Sequence, residues 1–132
     1  MIVDAHGLPI AIHTDSAGVH ETKLVQSALD RRFVGALPAR LGGDKAYDSD
    51  KLRQALAKQG IELIARHRQG RAKPATQDGR KARRLARRWK VERANAWLKA
   101  FRRLRVRHEW HAVNFEALVL LACAMVLLRN LP

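Results

Sequence analysis

The charge of this chain is confined to one third of its length, which divides it into two unlike halves before any motif is read. Residues 66–110 carry seventeen Lys and Arg against three Asp and Glu, whereas residues 1–65 carry eight of each. The first half therefore reads as an ordinary α/β segment, and the second holds an electrostatic footprint. Apolar residues make up 47% of the 132, enough to bury a core and too many for a disordered tail. With a formal charge of +14, a compact domain repels itself unless a polyanion lies close, so nucleic acid is the expected partner. The competing reading is a merely solvated basic face.

One cysteine, Cys123, sits inside an apolar run, so no internal disulfide and no cysteine-type zinc site can form. It reads as a small core hydrophobe in a reducing cytosol, and a cytoplasmic location is expected. Met1-Ile2-Val3 leads directly to Asp4 and Gly7 with no basic stretch of the secretory type. The longest apolar run, Ala117 to Leu128, is shorter than the roughly 20 residues a bilayer needs. A core helix is expected there, and no membrane.

Ile2-Val3 and Pro9 to His13 are strand-like runs around the turn sequence Asp4-Ala5-His6-Gly7, which predicts a hairpin. Leu24, Val25, Ala28 and Leu29 have helical spacing over Glu21–Arg32. Leu41–Lys45 predicts a short strand ending at Asp44. Ser49 and Asp50 offer an N-cap for a helix to about Gln59, with Leu52, Leu56 and Ala55 inward, and Gly60 closes it. Ile61–Ala65 is a strand. Arg66–Arg80 is a polar loop, Lys81–Arg105 a long basic helix, and Ala112–Arg129 a last, apolar helix. Strands alternating with helices predict an α/β fold in one domain, with a mixed sheet because the opening hairpin is antiparallel.

Two carboxylates carry the chemical interest. Asp44 sits where a strand ends, beside Gly42 and Gly43. A carboxylate at a strand's carboxyl end suits metal binding, although a turn aspartate has the same local sequence. Glu92 is the one acid on the expected Lys81–Arg105 helix. At about 100° per residue, Arg88 and Lys99 fall within roughly 40° of it, at the border of an apolar stripe through Trp89, Trp97, Phe101 and Leu104. Such a carboxylate among Arg88, Lys99 and Arg103 suits a metal site flanked by phosphate-binding groups. An ordinary intrahelical pair with Arg88 fits the geometry equally. His108-Glu109-x-His111 lacks a third ligand. Trp89 and Trp97 read as core packing, with base stacking as the alternative.

Asp44-Lys45-Ala46-Tyr47-Asp48 resembles the second-aspartate motif D-[KR]-[GA]-[YF]-D of DDE transposases, and Arg88, Glu92 and Lys99 fit their Y-x2-R-x3-E-x6-K signature. Leu85 stands at the tyrosine position of that signature. The flanks Arg87–Arg93 and Trp97–Leu104, together with Val3–Pro9, resemble the insertion-sequence-five-like group, so the likeness spans nearly the whole chain.

That resemblance implies a ribonuclease-H-like mixed sheet with flanking helices. It also implies two Mg²⁺ (or Mn²⁺) ions held by two aspartates and a glutamate for in-line phosphoryl transfer on transposon-end and target DNA. Asp44 would be the second metal-binding acid and Glu92 the third, both catalytic, with Arg88, Lys99 and Arg103 on DNA. The first aspartate belongs to a strand before the hairpin. Asp4 matches the hairpin turn and Asp15 the far end of the next strand, so neither fills that position. The expectation is a partial catalytic domain over 1–132, N-terminally truncated, which cuts and joins DNA only within a longer or frameshifted product, with room for a homo-oligomer on DNA. The alternative is a noncatalytic basic DNA-binding fragment or remnant.

Overall fold

The computed structural model describes residues 1–16, 18–70, 74 and 79–130. The hairpin forms from β1 (Ile2–Val3) and β2 (Pro9–Ala11), paired antiparallel. Its turn is tied by the Asp4 carboxylate, which accepts from the backbone N–H of His6 at 2.7 Å and of Leu8 at 2.9 Å. Gly7 closes the turn at φ +86°, a conformation in which a Cβ is strained.

Helix α1 (Glu21–Asp30) buries Val25, Ala28 and Leu29, the face its spacing predicts, and ends two residues early because Arg32 bridges back to Ala11. Strand β3 (Arg40–Gly43) runs parallel to β4 (Glu62–Ala65), in the register Arg40↔Glu62 through Gly43↔Ala65. Between them α2 (Asp50–Ala57) forms the crossover, capped by Ser49 Oγ, which accepts from the Leu52 N–H at 3.3 Å. Leu56 is fully buried on its inner face, whereas Ala55, expected inward, is exposed. The expected Arg66–Arg80 loop lies partly outside the described residues.

The long basic helix is a correction. In place of Lys81–Arg105 the chain makes α3 (Gly79–Ala82), a 3₁₀ stretch over Arg83–Arg88, α4 (Trp89–Lys99) and α5 (Arg102–Arg105), with Phe101 extended at ψ 116° between the last two. Burial explains the breaks. On one straight helix Leu98 and Leu104 would point about 120° apart, yet both pack on the same apolar cluster. Leu85, in the 3₁₀ stretch, is buried instead towards β3, its Cδ2 3.5 Å from where a Cβ on Gly42 would stand. One straight helix cannot bring Leu98 and Leu104 to one cluster while turning Leu85 to β3.

Helix α6 (Ala112–Arg129) closes the chain. It is long and apolar enough by length and composition to cross a membrane, with 22% of it buried. Val119, Ala122, Cys123 and Val126 join Ile12 and Leu98 in the core, as expected of a core helix, while Leu120, Leu121 and Leu128 remain exposed. A second cluster gathers Val25, Leu29, Leu56, Ile61 and Leu63 from α1, α2 and the approach to and course of β4.

The architecture is mixed α/β, as the alternating pattern predicts. The single mixed sheet is not formed among the described residues: β1–β2 and β3–β4 are separate two-stranded pieces. Strands share a sheet only when their backbones lie about 4.8 Å apart. Here a cavity of about 650 Å³ is lined by Ile2 and Val3 on one side and Arg40 to Gly43 on the other.

Candidate active site

Asp44 follows β3 directly and caps the 3₁₀ turn Lys45–Tyr47, its Oδ1 accepting from the Ala46 N–H at 2.8 Å. Gly43 is needed here for close approach, because a Cβ would stand 3.0 Å from the Tyr47 ring. The Tyr47 phenol is pushed up to about 12, by burial first, then by the charge of Glu21, a hydrogen bond with Glu21 and the charge of Asp44. Tyr47 therefore stays neutral beside two acids.

A brace behind this turn is absent from the sequence reading. The Asp48 side chain is 3% exposed; its Oδ1 accepts from Arg53 at 3.1 Å and meets His67 Nδ1 at 2.9 Å. Its Oδ2 accepts from the Arg68 backbone N–H at 3.0 Å. The Arg68 guanidinium then donates to the carbonyls of Lys45 at 3.1 Å and Ala46 at 2.8 Å. The segment after β4 thus holds the backbone that presents Asp44. Asp48 belongs to the five-residue motif, but that it clamps His67 and Arg68 depends on pairing across some twenty residues, which no local signal reveals.

Asp44 and Arg88 both line the 650 Å³ cavity, with Glu21, His13 and Asp4 also on its wall. Two of the motif positions, far apart in sequence, therefore open onto one space. Glu92 does not line it. It sits exposed in the first turn of α4, one turn beyond Arg88. Lys99 lies on α4 with Glu92, so its expected angle holds, and Arg88 leads into that helix as its N-cap in αR conformation. The sequence marks Glu21 only as the start of a helix, and its place on the cavity wall is a tertiary fact.

Helix α4 is gripped by the hairpin: Lys90 donates to the Ala5 carbonyl and Arg93 to that of His6. The Arg93 guanidinium lies between Trp89 and Trp97, 4.8 and 4.7 Å from their ring centroids. Trp97 packs against the core as expected, whereas Trp89 is 51% exposed. Lys99 is exposed, and Arg103 pairs with Glu109 at 2.7 Å. The Glu109 carboxyl is held below the usual range: desolvation opposes this, but hydrogen bonds from the backbone at Glu109 and His108 and the Arg103 guanidinium outweigh it. Among the described residues no three His, Cys, Asp or Glu cluster as a metal site, His108-Glu109-x-His111 included.

Residues 1–127 match the transposase DDE domain family, and the chain belongs to that family. It is 32% identical over 134 residues to a protein of Burkholderia cepacia named for its assignment as the transposase of insertion sequence element IS402. That match covers 96% of this chain and 60% of the relative, so the chain spans about 60% of the length of the curated relative it matches. No solved structure matches the chain.

Proposed function

We propose that this chain forms the C-terminal part of a ribonuclease-H-like transposase catalytic domain that cuts and joins DNA by metal-dependent phosphoryl transfer. The observation that carries the reading is the cavity onto which Asp44 and Arg88 both open, between the facing strands β1 and β3. Family membership supports it. Asp44 and Glu92 would be the metal-holding acids. The donor chemistry fits: each is a hard oxygen donor, and neither carboxylate is tied up in an ion pair among the described residues. When bound, divalent ions would activate the attacking hydroxyl and stabilise the leaving oxygen. Tyr47, kept neutral, would add no competing anion, and the Arg68 brace would hold Asp44 in place.

Arg88 and Lys99 would orient DNA phosphates, and Arg103 would contribute least of the three because Glu109 already occupies it. Two acids fall short of a two-ion site, and an extended segment seated between β1 and β3 would bring the third. The chain by itself would therefore neither cleave nor transpose DNA, since misplacing reacting groups by about 1 Å already costs on the order of a hundredfold in rate. A noncatalytic DNA-binding fragment is the second reading, favoured by the exposure of Glu92 away from the cavity.

Strand cleavage of transposon-end DNA with Mg²⁺ separates the two. The expected result is cleavage by a form fused to the upstream acid-bearing segment, none by the chain alone, and none by the fused Glu92→Ala. A fused form that binds DNA and never cuts it supports the second reading. Robust cleavage by the chain alone refutes the need for a third acid.

A further inference from the structure

We propose that the groove where α4 gives way to α5 seats the phosphodiester backbone of DNA, through Arg102 and Arg105 acting with Lys99. The proposal rests on DNA being the partner. A cavity of about 340 Å³ lies here, lined by Ala96, Lys99, Ala100, Arg102 and Arg105. Its floor is two alanines, which let a ligand backbone approach closely, and its rim is three cations. All five residues are exposed, and none of the three cations has a carboxylate within ion-pair distance among the described residues.

The local chain geometry creates this arrangement. Phe101 is extended and stops α4, so the next four residues turn as a separate helical segment. In that segment Leu104 packs on the core and Arg103 is taken by Glu109. Residues three apart share a helical face, so anchoring those two leaves Arg102 and Arg105 together on the outer side, beside Lys99.

The groove also lies in register with Glu92. Lys99 is seven residues further along α4 and about 20° around it, so the two sit on one face about 10 Å apart along the axis. A backbone seated in the groove and running along α4 would thus pass Glu92, which places the groove as a hold on DNA flanking the reacting phosphate.

Fluorescence anisotropy of a labelled duplex, titrated with the chain between 50 and 200 mM salt, tests the assignment. Each phosphate contact contributes about 0.9 to the slope of log affinity against log salt. The Arg102→Gln/Arg105→Gln double variant should lower that slope by about 1.8, so the unsubstituted chain should lose about twelvefold more affinity over this fourfold salt range than the double variant does. Lys58→Gln, on an exposed site at the end of α2, should change neither slope nor affinity. A double variant with the unsubstituted slope overturns the groove while leaving DNA as the partner. A loss per charge as large in Lys58→Gln also overturns it, because net charge alone then explains binding. Failure of the unsubstituted chain to bind, or binding indifferent to salt, overturns the DNA reading and the groove together.

Discussion

Replacing Gly7 by alanine should separate the basic helix from the hairpin. Gly7 and Gly60 both have positive φ, +86° and +76°, but nothing lies within 4 Å of a Cβ placed on Gly60. At Gly60, alanine meets only backbone strain, about 1–2 kcal/mol. The stiffer unfolded chain offsets about half of this, leaving a net loss of about 1 kcal/mol. At Gly7 the same Cβ would stand 2.8 Å from Arg93 Nη2 and 3.3 Å from both the Cβ and the carbonyl oxygen of Lys90. The arginine tip can swing away, but only by releasing the His6 carbonyl, and the Lys90 backbone is held in α4. Relief therefore means moving the turn off the helix and weakening two hydrogen bonds from charged donors. Such bonds contribute about 1.5–3 kcal/mol each when well formed and less at an exposed site, so roughly 2 kcal/mol is added. Gly7→Ala should lower stability by about 3 kcal/mol against about 1 for Gly60→Ala, or about 12 °C against 4 °C in Tm. Urea denaturation followed by tryptophan emission measures both, and Trp89 and Trp97, stacked on Arg93, report the separation directly. Equal losses in the two variants would refute the argument that the turn anchors α4.

Two further outcomes follow from the turn that presents Asp44. Because the folded pKa of Tyr47 is raised to about 12 from an unfolded value of about 10, its contribution is complete below pH 10 and is lost as pH rises from there to 12. Tyr47→Phe should flatten the fall of the urea midpoint over that window; parallel curves for the two proteins would contradict the burial of the phenol. Asp48→Ala should destabilise the fold by about 3 kcal/mol or more, since it leaves Arg53 and His67 without the buried anion between them. A loss below about 1 kcal/mol, measured by thermal unfolding, would show that the brace does not hold the turn.

The local code was legible where one element meets one core. Val25, Ala28 and Leu29 on α1, the Ser49 cap of α2 and the Asp4 turn follow from spacing and side-chain chemistry alone. The basic segment departs from a single helix because periodicity assumes one straight axis and one target. Leu98 and Leu104 reach one cluster across the break at Phe101, Leu85 faces β3, and neither Gly nor Pro marks Phe101 as a break. At the site, Asp44 and Arg88 were legible as motif residues, yet their meeting on one cavity with Glu21 arises from packing between α1, β3 and the 3₁₀ stretch. Arg102 and Arg105 drew no notice in a block of seventeen cations. Only the Arg103–Glu109 pair and the anchoring of Leu104 single them out.

The two apolar clusters share no buried residue. Each is small, and a cluster of five or six buried side chains does not sustain a domain by itself. The hairpin touches both: Ile2 of β1 packs on the cluster under α1 and α2, and Ile12, just after β2, is buried in the one under α4 and α6. The hairpin thus couples the two clusters, alongside Leu85 packed towards β3 and the Arg31–Glu116 ion pair between the end of α1 and α6. If these few links open, the helical half and the β3–β4 half become units of local unfolding rather than parts of one transition. The extended segment proposed to lie between β1 and β3 would do more than complete a sheet: by bonding to both halves it would add a further mechanical path between them and tighten their coupling.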